Sequence, residues 1–203
     1  GIHHAYSLAG VAFPWRTEQS HTMMIGSTGT GKTTQMRALI AQMRMRRDRA
    51  VVFDLTGAYV EAFYNPQTDV ILNPMDERCP SWSVFGEAKN HADFTGIAAA
   101  LLPADGGGAE PFWMLAARTL FVETCIKLIK DGQATNQALA SRLMMADLKE
   151  VHKMLENTVA DPLTAPEAAK MAESIRAVFN TNAQGLRFLP GGKEPFSIQA
   201  WIR

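Results

Sequence analysis

Chemistry-bearing residues are scarce in this sequence, and each scarcity closes a reading. Cysteine occurs twice in 203 residues, as Cys79 and Cys125. Their separation matches no metal-ligand or redox spacing, which excludes a zinc module, a CxxC redox centre and a disulfide scaffold. Two buried, reduced thiols of a cytosolic compartment are the expectation. The histidines give no ligand set either: His3 and His4 are adjacent, and His21, His91 and His152 are scattered. Net charge is absent, with 20 Lys and Arg against 20 Asp and Glu, so bulk charge neither favours nor excludes nucleic acid. No apolar run approaches the roughly 20 residues that span a bilayer, and no signal peptide opens the chain; the chain reads as soluble. Repeats and low-complexity tracts are missing. So is any apolar run ending in Asp-Glu, the acid pair that holds the metal in motor-type ATPases.

What remains is an ordinary globular composition, 47% hydrophobic and 20% charged. The charge is unevenly placed. Arg16, Lys32, Arg37, Arg44, Arg46, Arg47 and Arg49 precede residue 50 against only Glu18 and Asp48. Four of these arginines end a helix, where cations complement the dipole; a nucleic-acid or subunit contact is the competing reading.

Three short apolar runs read as buried strands: "TMMI" at 22–25, "AVVFD" at 50–54 and "DVILNP" at 69–74. Between the first two, Met36, Leu39, Ile40 and Met43 recur at helical spacing, predicting a helix from Thr33 to about Arg46. Strand, loop, helix, strand opens an α/β fold with a parallel sheet. After Trp82 the pattern becomes helical. Helices are expected at 91–102, from Glu110-Pro111 onward, at 135–146, at 147–157 and from Thr164 to about Asn180. The second of these carries an apolar stripe of Phe112, Leu115, Thr119, Val122, Ile126 and Ile129. The last is predicted to start with Thr164 capping and Glu167 reaching back. The loop "PADGGGAE" reads as a flexible turn. Trp82, Trp113 and Trp201 read as core or junction packing, and the methionines of the first helix as packing. "FSIQAWIR" restarts ordered structure after "LPGGKEP". The expected divisions are 1–84, 85–190 and 191–203.

The stretch "IGSTGTGKTT" at 25–34 carries the chemistry. It fits G-x-x-x-x-G-K-[ST] between a strand and a helix, the phosphate-binding loop. Glycines let consecutive N–H groups turn inward onto phosphate oxygens, and the helix N-terminus adds partial positive charge. Gly26, Ser27, Thr28, Gly29, Thr30, Gly31, Lys32, Thr33 and Thr34 are therefore the candidate ATP site. Lys32 is expected to bridge the β- and γ-phosphates, Thr33 to hold Mg²⁺, and Thr34 to reach the α-phosphate. Hydrolysis needs a second acid on the metal. Asp54 ends an apolar run, as the acid does in kinase-like orders of strands. In motor-type orders that acid comes much later in sequence.

Further stretches accompany the loop: "VVFDLTGAYVEAFYNPQTDVILNPMDERC", "PFWMLAARTLF", "ESIRAVF" and "EPFSIQAWIR". Together with "GSTGTGKT" they resemble TraD-like type IV coupling proteins of conjugative DNA transfer, from about Gly10 to Arg203. The resemblance implies a RecA-like P-loop motor with an all-α domain inserted after its first strands, and ATP with Mg²⁺ as cofactors. It implies a homo-hexamer on the cytoplasmic face of the bacterial inner membrane, anchored by transmembrane helices upstream. Such a motor translocates DNA, linking the relaxase–DNA complex to a type IV secretion channel. It also places the metal-binding Asp-Glu past Arg203, making this chain a fragment without the downstream half of the motor and inactive alone. Ala58 stands where the family often has an acid. Two other readings are carried forward: a helical receptor module whose assembly nucleotide regulates, and a small P-loop kinase using Asp54.

Overall fold

The computed structural model describes residues 5–14, 17–103 and 111–203. Most of the glycine-rich loop after Pro103 therefore lies outside the described residues, as do His3, His4, Trp15 and Arg16. The chain divides into two compact units, Gly1–Asp69 and Val70–Arg203.

The first unit opens with a hairpin of β1 (Ser7–Leu8) and β2 (Val11–Ala12). Ala9 and Gly10 make its turn, both at positive φ, the combination that matches hairpin twist. Helix α1 (Lys32–Arg46) holds this hairpin through two glutamines. Gln42 accepts from the Ser7 N–H at 2.7 Å and donates to the Ser7 carbonyl at 2.9 Å, while Gln35 accepts from Ala9 N–H at 3.0 Å. At the far end of α1, Arg46 lies 3.9 Å over the Tyr6 ring and pairs with Glu18 and Asp48. Burial, and then the Asp48 carboxylate that accepts the Tyr6 hydroxyl, push the Tyr6 phenol up to about 12. Arg44 pairs with Asp69 at 2.8 Å. A short α2 (Ala58–Phe63) follows.

This unit has almost no core. Among the described residues, Leu39 and Ile40 are its only buried hydrophobic side chains. Among the described residues, the strands expected at 22–25 and 50–54 are not paired into any sheet, and neither is the run 69–74 that continues into the second unit. Their side chains face solvent instead: Ile25 is 88% exposed, Val51 87% and Phe53 85%. A strand exists only against a partner, and these apolar runs have none here. Met36, Ile40 and Met43 of α1 line an open groove of about 750 Å³ together with residues 50–53.

The second unit is built around helices. β3 (Ser81–Trp82) and α3 (Val84–Glu87) lead to α4 (His91–Leu101), which starts with a full capping box between Asn90 and Asp93. α5 (Pro111–Lys130) is the central helix, about 30 Å long at 1.5 Å per residue. α6 (Asn136–Ala140) runs into one π turn, Ser141–Met145, where a single helix was expected. α7 (Leu148–Leu155), α8 (Asp161–Thr164) and α9 (Ala169–Asn182) complete the packing. Cys125 and Cys79 are buried free thiols, and burial raises the pKa of both. Trp82 and Trp113 pack against the helical core.

Two sequence expectations fail in this unit. The stripe assigned to α5 is only partly its buried face: Val122 is buried and Ile126 packs on the core, but Phe112, Leu115 and Ile129 are exposed, whereas Met114, Ala117, Phe121, Cys125 and Leu128 are buried. The helix is apolar on nearly every side, so periodicity selects two stripes and only packing against α4 and α9 chooses between them. The Thr164 cap also fails. Thr164 ends α8, its buried hydroxyl donates to the Asp161 carbonyl at 3.2 Å, and α9 begins at Ala169 with no side-chain cap. Pro166 drives Ala165 into an extended conformation (φ −55°, ψ 146°), which separates Thr164 from the helix it was expected to start.

Past α9, β4 (Pro195–Phe196) pairs in parallel with β3, and α10 (Ile198–Ile202) follows. Glu87 locks this return. Its carboxylate, 7% exposed, accepts from Ile198 N–H at 2.6 Å, Trp82 Nε1–H at 3.0 Å, Gln199 N–H at 3.1 Å and the Ser197 hydroxyl at 3.4 Å. Glu87→Gln keeps the shape but turns an NH₂ group onto donors. It is expected to cost about 1–3 kcal/mol in urea unfolding; a loss under roughly 0.5 kcal/mol would remove Glu87 from this role.

Candidate functional site

Residues 26–30 form an exposed loop that passes through Gly31 into the first turn of α1, where Lys32, Thr33 and Thr34 stand. Gly29 and Gly31 sit at φ 85° and 87°, the left-handed region that side chains disfavour. Gly31 is the N-cap of α1 and no side chain caps that end. The first N–H groups of a helix have no partner within it, so those of Lys32, Thr33 and Thr34 point out of the helix end toward the loop. The arrangement is a concave ring of backbone donors at the positive end of a helix dipole, a fit for phosphate oxygens. Lys32 Nζ donates to the Gly26 and Ser27 carbonyls, each at 2.6 Å. The ammonium is thus curled over the loop, its charge held at the mouth of the ring. Lys32 is the only charged side chain between residues 25 and 34.

Asp54 is elsewhere engaged. Its Oδ1 accepts from Gly57 N–H at 3.0 Å, and its Oδ2 from Tyr59 and Val60 N–H at 2.9 and 3.0 Å. It caps α2. Burial alone would raise its pKa, but the backbone N–H groups of Val60, Tyr59, Thr56 and Gly57 outweigh that and hold the carboxyl below its ordinary value. Ala58 is the first residue of α2, and its carbonyl accepts from Arg37 Nη2 at 3.4 Å. The adjacent acids Asp76 and Glu77 follow the Asn73-Pro74 turn. Asp76 is gripped by its neighbour: Arg78 Nε and Nη2 donate to it at 2.9 and 2.7 Å and bring its pKa down to about 2. Among the described residues no cluster of three metal-ligating side chains occurs.

The cap on α2 has a pH signature. A carboxylate with a lowered folded-state pKa contributes stability above its unfolded value and loses it as pH falls through the folded one. The amide resonances of Gly57, Tyr59 and Val60 are therefore expected to shift with a midpoint below 3.8, the ordinary aspartate value. Movement centred above 3.8 would mean that the carboxylate is not held by these donors.

The comparisons agree with one another. The family described as type IV secretion-system coupling protein DNA-binding domain matches residues 5–203. Coupling protein TraD of Escherichia coli (strain K12) is 34% identical over 181 residues, covering 88% of this chain and 25% of that protein. Among solved structures, plasmid coupling protein TrwB in complex with ADP and Mg²⁺ superposes with a TM-score of 0.87 at 31% identity, over 100% of this chain and 48% of that one. Its complex with the non-hydrolysable ATP analogue ADPNP gives 0.88 over 49% of that chain. The fold is that of a RecA-like motor with a helical domain, and the chain spans about half the length of the TrwB chains it matches. With a match running from residue 5 to the last residue, the chain belongs to the type IV secretion-system coupling protein DNA-binding domain family.

Proposed function

We propose that this chain is the nucleotide-binding part and helical domain of a conjugative coupling protein, a DNA-translocating ATPase that works as a membrane-anchored hexamer between a relaxase–DNA complex and a type IV secretion channel. The observation that carries the nucleotide reading is the uncapped start of α1, with Gly31 at φ 87° and Lys32 curled over the loop. In this reading residues 26–34 cradle the phosphates of ATP, Lys32 moves onto the β- and γ-phosphate oxygens, and the Thr33 hydroxyl is the protein's ligand to Mg²⁺. Bound Mg²⁺ supplies charge neutralisation for phosphoryl transfer. The TrwB complexes with ADP and Mg²⁺ and with ADPNP support these ligands for a relative.

The organisation follows the same reading, with 1–84 as the nucleotide-binding part, 85–190 as the helical domain and 191–203 as the return. The β3–β4 pairing, which sets entry and exit of the helices side by side, supports an insertion. The exposed runs at 22–25, 50–54 and 69–74 are sheet strands whose neighbours belong to the remaining half of the relatives' length. No helix of the described residues is long and apolar enough to cross a membrane, so the anchor is assigned outside these residues. Arg44 and Arg46 already face carboxylates. DNA binding through Arg44, Arg46, Arg47 and Arg49 is therefore expected to show a salt slope below that of four neutralised phosphates.

Because Asp54 is spent on a helix cap, the chain is expected to bind nucleotide and to release phosphate at no more than the background rate. The test is a steady-state phosphate-release assay with Mg²⁺ and ATP. Sustained release that disappears in Asp54→Asn would overturn the motor reading in favour of a self-contained kinase-like enzyme.

A further inference from the structure

We propose that Thr30 is a positioning residue of the nucleotide loop, its hydroxyl bracing the Ser27 carbonyl so that the loop keeps its curvature when Lys32 leaves that carbonyl for a phosphate. The inference rests on the nucleotide reading above and goes beyond it in assigning how the loop holds its shape. The Ser27 carbonyl receives Lys32 Nζ at 2.6 Å, Thr30 Oγ1 at 2.8 Å and Thr30 N–H at 3.4 Å. An ammonium has three donors, and Lys32 has committed two of them to the Gly26 and Ser27 carbonyls. Bridging two phosphates requires it to give up at least one. What then holds the turn at Ser27 is Thr30, and chiefly its hydroxyl, since an N–H contact of 3.4 Å is long and weak.

Gly26 belongs to the same device. Gly29 and Gly31 have positive φ and open space where a Cβ would stand, so their backbone angles require glycine. Gly26 has no such φ. A Cβ there would lie 2.5 Å from Thr30 Oγ1 but 3.4 Å from Thr30 Cβ. Glycine at 26 therefore makes room for the hydroxyl of Thr30, and the bare Cα and the brace form one unit.

Calorimetric titration of the whole chain with ADP and excess Mg²⁺ tests this. Thr30→Val removes the hydroxyl at constant shape and is expected to weaken binding about three- to tenfold, the range of one net hydrogen bond; Thr30→Ser is expected to stay within about twofold of wild type. Gly26→Ala should weaken binding strongly with Thr30 present and much less in a Thr30→Ala background, a non-additive cycle. Both residues are exposed, so nucleotide-free melting should not move in Thr30→Val. The brace is refuted by equal affinity in Thr30→Val, by an equal fall in Thr30→Ser, by an additive cycle, or by an affinity loss that only follows a loss of nucleotide-free stability. A wild-type chain that does not bind ADP at all would instead overturn the nucleotide reading, and the brace with it.

Discussion

Replacing Lys32 with alanine is expected to abolish the nucleotide-dependent stabilisation of this chain while leaving its fold intact. Lys32 is the only charge in the loop, and its ammonium sits over the ring of N–H groups through the Gly26 and Ser27 carbonyls. Polyphosphate brought to that ring without a counter-charge keeps backbone dipoles alone as its partners. Alanine is the best helix former, so α1 itself should persist from its first residue. A ligand at 100 times its dissociation constant stabilises the native state by about 2.7 kcal/mol, and the whole of that increment should vanish. Where it is measured matters. The helical unit holds nearly all of the buried apolar residues and would dominate a melting curve. Amide exchange across residues 32–46, with and without ADP and Mg²⁺, reads the coreless unit directly. Protection retained in Lys32→Ala would show that the loop does not bind phosphate through this residue.

Phe121→Ala is expected to be the most damaging single truncation in the helical unit. Phe121 is fully buried on the central helix α5, within the cluster that also takes in Phe94 of α4 and Phe179 of α9. Truncating a buried phenylalanine costs about 3–5 kcal/mol through lost transfer energy and the cavity left behind, against a whole-domain stability of about 5–15 kcal/mol. The urea midpoint should fall steeply at unchanged slope. Leu115→Ala, about 1.7 turns away on the exposed face, is the control and should change stability by less than about 0.5 kcal/mol. Similar losses at both positions would return the buried face of α5 to the stripe that periodicity favoured.

That stripe illustrates where sequence reasoning reached its limit. The phosphate loop was legible because its constraints are local: glycine angles at 29 and 31, a lysine and a helix start. Both ends of α1 and α4 and the start of α5 were legible as well. The three apolar runs at 22–25, 50–54 and 69–74 were legible as apolar, yet an apolar run does not say what it pairs with, and among the described residues none of them is paired. Thr164 and Glu167 have the spacing of a capping box, but the hydroxyl is claimed by Asp161 and Pro166 breaks the approach. The role of Asp54 as a cap has a local signal in the sequence. An aspartate three residues before Gly57 and the run "AYVEAF" is a cap as readily as a metal acid. Glu87 carried none, since its partners Trp82, Ser197, Ile198 and Gln199 include residues more than 100 positions away. Thr30 was legible as part of the loop, but its contact with the space beside Gly26 shows only in the folded chain.

The most direct measurement of the central claim is a titration of the isotopically labelled chain with ADP and Mg²⁺, followed at backbone amides. The account predicts saturable shifts at Gly29, Gly31, Lys32 and Thr33, in the loop and the first turn of α1, with none at Tyr59 and Val60, whose N–H groups Asp54 already holds. Saturable shifts at Tyr59 and Val60 with the loop amides unmoved would contradict it.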